Sequence, residues 1–328
     1  MARTPTPAAI SPSDIGRSWV DTAWLMRLEQ HAAGLAFHPY QPRTSLLAGR
    51  QASRLRGRGL NFEELRGYLP GDDVRHIDWK ASQRSGKALV RVYTEERDRP
   101  ALLVVDQRIS LFFGSQRAMK SVIAAEFAAL AAWMALGAED RVGGIVFDDQ
   151  HIHNLRPLRS RSRVQELLGA LARSNQNLHA ASPIKANDAQ LNRALEHALR
   201  VAAQDYLVCV ISDFAGADAR TQQLLRELAG HNDVVAAVVT DPLFQHIPQR
   251  AGRWVVTEGE LQVELDFAHA RTPVQAFFRQ RGQSINALLR GSGVPVLTLN
   301  TEDEVTDQLR HFLGRRVPRV RTLAGMLP

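Results

Sequence analysis

Cysteine is almost absent: Cys209 is the single one in 328 residues. That excludes an intramolecular disulfide and any zinc site built from several thiolates, and it fits a reducing compartment, so the expected location is the cytoplasm. Long apolar runs are also missing. The most apolar stretch, Ile123 to Ala138, has 16 residues and contains Glu126, short of the roughly 20 uncharged residues that span a bilayer. The leading MARTPTPAAISPSD has prolines where a secretory signal needs an apolar run, so export by that route is not expected. Lysine is scarce, 4 of the 41 basic residues, and no acid occurs between Glu29 and Glu63.

What is present is ordinary for a folded chain. Hydrophobic residues make up 45% and charged residues 23%, enough apolar material for a sizeable core and too much for wholesale disorder. The length suggests two domains, or one large domain with an appendage. Basic residues exceed acidic ones by 41 to 34, a net +7. The excess lies mainly in the first 100 residues, where 16 Lys/Arg face 11 Asp/Glu.

A helical pattern runs from Asp21 to about Ala33, with Trp24, Leu25, Leu28 and Ala32 on one face and Gly34 as a stop. Residues 35–60 read as a basic loop. From Arg99 onward, short apolar runs alternate with amphipathic stretches, which argues for βαβ units and a doubly wound, mostly parallel α/β sheet. The expected strands begin at Ala101, Val142, Ile152, Tyr206, Val234 and Val294. The expected helices begin at Ser115, Arg163, Asp188, Ala217, Pro273 and Glu302. Asp148-Asp149-Gln150 leaves so few residues between two strands that they must form an antiparallel hairpin at an edge. A second hairpin, a β insertion, is expected over Arg253 to Phe267. The expected division is a flexible lead-in (1–20), an N-terminal helical and irregular segment (21–98), the sheet domain (99–316) and a tail (317–328).

The densest signal is GRGLNFEELRGYLPGDDVRHIDWKASQRSGKALVRVYTEE, residues 57–96. Pro70-Gly71 makes a turn, Asp72 and Asp73 can accept from turn amides, and Arg66, Arg75 and Arg91 are within chain reach of those carboxylates. A charge-paired junction is favoured over an acid/base or phosphate site, because no nucleophile order and no glycine-rich phosphate loop accompanies it.

The segment RGYLPGDDVRHIDW, with Arg66, Tyr68, Gly71, Asp72, Asp73, Arg75, Asp78 and Trp79, resembles the signature of the bacterial family called domain of unknown function 58. Leu89 to Glu96 continues it. Downstream, VVDQRIS, RVGGIVF, VISDF and DPLFQHIP fall in that family's order within a domain similar to von Willebrand factor type A. The resemblance implies a non-enzymatic interaction protein that works with a MoxR-type AAA+ ATPase in assembling or activating an unknown client protein. It leaves room for recruitment by a membrane-bound partner.

In doubly wound folds ligands bind beyond the carboxyl ends of the strands, which places Asp106 and Asp213 in one crevice. Type A domains hold a divalent metal there with Asp-x-Ser-x-Ser, a distant threonine and a distant aspartate. Here the loop reads Asp106-Gln107-Arg108-Ile109-Ser110, so Arg108 replaces the middle serine and brings a permanent positive charge. No threonine lies between Ser182 and Leu195, although Asn187 or Asp188 could stand in. The expectation is a degenerate metal site of Asp106, Ser110 and Asp213, with Arg108 as a built-in substitute for the cation. Mg²⁺ binding is the rival reading, and no other cofactor is expected.

Other candidates are weaker. His151 and His153 share a strand face without a carboxylate or cysteine set. Cys209 lies in the apolar run YLVCVIS and reads as core, and Ser212 has no glycine elbow. Arginine clusters at 43–58, 156–163 and 315–321 would suit an anionic surface, but without an aromatic stacking platform no specific nucleic-acid binding is expected.

Overall fold

The computed structural model describes residues 16–33, 35, 60–69, 72–95, 99–179, 185–244, 253–258 and 261–314. The chain forms two compact units, Met1–His38 with Arg99–Pro328, and Pro39–Asp98.

The larger unit is built on a six-stranded sheet. In chain order its strands are β3 (Ala101–Asp106), β4 (Val142–Phe147), β5 (Ile152–Leu158), β6 (Leu207–Ser212), β7 (Asp233–Thr240) and β10 (Val296–Asn300). Their spatial order is β10-β7-β6-β3-β4-β5. All pairs are parallel except β4 with β5, the expected edge hairpin. Taken from β5, this is the order 3-2-1-4-5-6 of a doubly wound fold, whose strand order reverses between β3 and β6.

Alternation along β3 explains why both faces must be covered. Ala101, Leu103 and Val105 enter one apolar cluster, and Leu102 and Val104 enter the other. The first face is covered by α4 (Lys120–Gly137) and α5 (Arg161–Gln176). The second is covered by α6 (Ala189–Val201) and α7 (Ala219–His231), with α8 (Phe267–Ser292) packed on α7. Helix α4 has no polar face: Lys120 to Ala135 are all buried, as befits a helix enclosed on every side. Its 18 residues are long and apolar enough to cross a bilayer by composition, where the sequence reading fell short of that length. In this fold the helix is the core of the unit.

The helix expected at Ser115 begins instead at Lys120, because the Ser115 N–H and hydroxyl are bonded to Asp241 at 2.7 and 2.6 Å. The N-terminal helices α1 (Thr22–Arg27) and α2 (Glu29–Ala32) belong to the sheet unit, not to the segment that carries the GDDVRHIDW motif. Even Trp19 and Val20, expected at the end of a free lead-in, are docked. The Trp19 indole N–H donates to Leu178 O at 2.7 Å and the Val20 N–H to Asn175 Oδ1 at 2.8 Å. The expected tail at 317–328 lies outside the described residues.

The smaller unit contains an antiparallel ribbon of β1 (Leu60–Gly67) and β2 (Leu89–Glu95), with α3 (Trp79–Ser85) between them in sequence. The second expected hairpin is present as β8 (Arg253–Glu258) paired with β9 (Leu261–Asp266), and α9 (Val305–Gly314) closes the described chain.

Candidate functional site

Asp106 ends β3 and Asp213 follows β6, so the topology brings both carboxylates to the switch point, as expected. Both are buried. Asp106 is completely buried and is clamped by Arg108, whose Nε lies 3.0 and 3.1 Å from the two carboxylate oxygens and whose Nη2 lies 2.7 Å from Oδ2. The Ser212 hydroxyl donates to the same Oδ2 at 2.6 Å.

Arg108 is 1% exposed. Its remaining donors meet carbonyls from two loops, Ala215 O at 3.1 Å and Asn187 O at 3.5 Å, and the Phe147 ring lies 5.6 Å from its guanidinium carbon. Burial works against the charged guanidinium, but Asp106 outweighs it and raises the Arg108 pKa above the ordinary arginine value.

Asp213 has a cation that sequence reading missed. Lys120, the first residue of α4, places its ammonium 2.6 Å from Asp213 Oδ2, with both side chains buried. The expected ligand Ser110 reaches Asp213 Oδ1 at a long 3.4 Å, and the Ala215 N–H donates to the same oxygen at 2.9 Å. Burial would raise the Asp213 carboxyl, yet Lys120 and then Arg108 outweigh it and bring it down to about 2. A signal for Lys120 existed: a charge opening an otherwise apolar, enclosed helix must be paired to be tolerated.

The loops over the crevice are held in place by a third carboxylate. Asp149, in the β4–β5 turn, accepts from Ile109 N at 2.7 Å and Asn187 N at 2.8 Å, and burial raises its pKa. Of the candidate stand-ins for the missing threonine, Asn187 is thus committed to closure, while the Asp188 side chain is 69% exposed with its Oδ1 3.9 Å from Arg108 Nη1. Phe214 sits at φ +53, a strained conformation for a bulky side chain. Its N–H is tied to Ser212 Oγ at 2.9 Å. At Gly216, φ +73, a Cβ would run into Asp188. Below the crevice, Gln107 donates to Ser121 O and accepts from Asn175, each at 3.0 Å, which links the first loop to the docked N-terminal residues.

The arrangement therefore holds two ion pairs, Arg108 with Asp106 and Lys120 with Asp213, beside the amide-bound Asp149. A divalent ion would have to displace a buried guanidinium and a buried ammonium. Among the described residues no group of three or more His, Cys, Asp or Glu side chains is placed to hold a metal.

The motif residues fall in the smaller unit. Arg66 grips Asp72 through two bonds of 2.8 and 2.7 Å, and Asp72 also accepts from Leu69 N at 2.8 Å. The Arg66 bond holds the Asp72 carboxyl below its ordinary range. Asp73 accepts from Arg75 N at 2.9 Å, and Asp78 caps α3 through Ala81 N at 3.0 Å. The expected charge-paired junction is thus narrower than the motif suggests. Arg75 is exposed and forms no ion pair among the described residues. Tyr68 and Trp79 are exposed too. Gly71 and the Arg91 side chain lie outside what the structure describes.

The family model described as "Protein of unknown function DUF58" matches residues 64–286. The chain belongs to that family. Uncharacterized proteins of Mycobacterium bovis and Mycobacterium tuberculosis are 27% identical over 326 residues, covering 96% of this chain and 98% of theirs. Among solved structures, the conserved hypothetical protein BatB of Bacteroides thetaiotaomicron aligns with TM-score 0.39 and 11% identity, over 66% of this chain and 96% of that one. A von Willebrand factor type A protein of Catenulispora acidiphila aligns with TM-score 0.32 and 10% identity, over 69% and 43%. In this DUF58 chain the remaining candidates are structural. Cys209 is buried, which pushes its thiol up to about 12. His151 and His153 stack on the edge strand at 6.3 Å. Of the arginine cluster at 156–163, Arg159, Arg161 and Arg163 pair with Glu139, Glu29 and Glu166. The clusters at 43–58 and 315–321 lie outside the described residues.

Proposed function

We propose that this DUF58 chain is a non-enzymatic interaction adaptor, a type A-like module whose metal site has been replaced by its own cations. The observation that supports this reading is the pairing of Asp106 with Arg108 and of Asp213 with Lys120. Both carboxylates are occupied. Neither is free to abstract a proton, and the Ser212 hydroxyl that donates to Asp106 is itself fully buried, out of reach of a substrate. Such a crevice serves the architecture, holding four loops in fixed relation at the end of the sheet, and binding is then left to exposed surfaces.

The partner implied by the family resemblance is a MoxR-type AAA+ ATPase in the cytoplasm, with a client protein whose assembly or activation the pair assists. Affinity purification of the tagged chain from its native cell tests this. Co-elution of an AAA+ ATPase in stoichiometric amount is the expected result. Its absence under gentle lysis, with and without ATP, would remove the ATPase assignment. Mg²⁺-dependent ligand binding is the competing reading, and calorimetry with Mg²⁺ and Mn²⁺ separates it: the occupied crevice predicts no binding heat.

A further inference from the structure

Seven large apolar side chains stand exposed among the described residues, and five of them fall between positions 65 and 79: Leu65, Tyr68, Leu69, Val74 and Trp79. Leu69 is 60% exposed and Trp79 70%. Single exposed apolar residues need no explanation, but their concentration in one short segment does. Among the described side chains of the unit that carries them, Val90 is the one buried apolar residue. A two-stranded ribbon is marginal in water unless something covers it.

The segment is nevertheless held in shape. The two-bond Arg66–Asp72 pair fixes the turn, and Asp73 and Asp78 fix the following helical starts. All three carboxylates are spent on the segment's own structure. The exposed basic side chains Arg75, Lys80, Arg84 and Lys87 form no ion pair among the described residues. The face therefore offers a tryptophan, a tyrosine and aliphatic groups ringed by free positive charge, the residue types that anchor protein interfaces.

Charge complementarity selects the occupant. A second copy would set like charges against each other, in a chain already at +7. An anionic membrane fits poorly: α3 has seven residues, too short for an interfacial amphipathic helix. We infer that residues 65–69 and 72–87 form a docking surface for a protein segment that presents an apolar side chain between Asp or Glu residues. This deepens the adaptor reading by giving the chemistry of the partner, whatever protein carries it.

The test is site-specific photo-cross-linking of the full-length chain in its native cell. Benzoylphenylalanine is placed at Trp79 and, in a second variant, at Val74, with Arg156 on the β5 edge as the control position. Circular dichroism checks that each variant folds. Expected is an adduct from both positions to one segment of another protein, rich in Asp or Glu beside an apolar residue. Its yield should fall about tenfold or more when Arg75, Lys80 and Arg84 are changed to Glu. An adduct within the same chain, to a second copy, to lipid or nucleic acid, or to a segment without acids would overturn the inference. So would no adduct above that at Arg156. An acidic partner that is not an ATPase would leave this inference standing while removing the ATPase from the proposed function.

Discussion

The crevice at the end of the sheet and the face of the ribbon unit solve opposite problems. In the crevice, charge is buried and Asp106 and Asp213 each have a cation of their own, Arg108 and Lys120. On the ribbon, apolar groups are exposed and positive charges stand free. A folding sequence tends to satisfy its local rules and to break them where function is carried. By that criterion, and on the function proposed above, the crevice serves as scaffold and the interaction chemistry lies at the motif.

Four measurements would break or sharpen this contrast. The largest effect is expected from Arg108→Ala, which leaves Asp106 buried without its cation and strips two carbonyls of their donor. The cost should be roughly 3 to 5 kcal/mol, a fall of about 10 °C in thermal midpoint for a unit of this size. A midpoint within a degree of wild type would show that the crevice is not a structural clamp.

Next in size is Lys120→Met. Asp213 is held at about 2 against an ordinary 3.8, so its contribution is fully present above pH 4 and is lost as pH falls from about 4 to 2. That contribution is of order 2 kcal/mol. Urea unfolding between pH 5 and 2.5 should show a shallower acid loss in Lys120→Met, which lacks the strongest attraction that lowers Asp213. Parallel profiles would assign the low value to Arg108 and the backbone.

A smaller effect separates a self-filled site from a dormant one. Arg108→Ser restores the Asp-x-Ser-x-Ser loop, but the ammonium on Asp213 remains, so millimolar Mg²⁺ should leave its melting unchanged. Only Arg108→Ser with Lys120→Ser should respond, by about 1 kcal/mol at about 5 mM Mg²⁺ if the site binds at about 1 mM. Stabilisation of the wild type by Mg²⁺ would refute the built-in cation. The smallest effect belongs to the ribbon. Trp79→Ala should change stability by no more than about 0.5 kcal/mol while abolishing partner capture, whereas a large loss of stability would return Trp79 to the core.

The sheet was legible because a strand covered on both faces reads as an unbroken apolar run, and all six lie within a few residues of expectation. The crevice was partly legible. Loop order places Asp106, Arg108 and Asp213 together, and the Arg108 side chain turns inward as its chemistry suggests. Lys120 and Asp149 were missed because they reach the crevice through tertiary packing, from a helix start and a hairpin turn with no spacing rule to Asp213. The motif misled in a different way. Its alternating charges suggest mutual pairing, but two of its three aspartates cap helical starts through backbone amides, leaving Arg75 free. Local backbone bonds compete with ion pairs, and sequence does not reveal which prevails.

The docking of Trp19, Val20 and Trp24 has a consequence for how the chain reaches this state. Their partners Leu178, Asn175 and Glu126 lie 159, 155 and 102 positions further along. The Trp19 and Val20 contacts therefore close only after the smaller unit and half of the sheet, β3, β4 and β5, have been synthesised. Contacts this distant form on the late side of the folding barrier. Weakening them, as by Asn175→Ala, should steepen escape from the native state while leaving its formation nearly unchanged, visible as a raised unfolding arm and an unmoved refolding arm in a chevron plot. The N-terminal strap then acts as a kinetic seal: it makes the finished sheet slow to open without helping to build it.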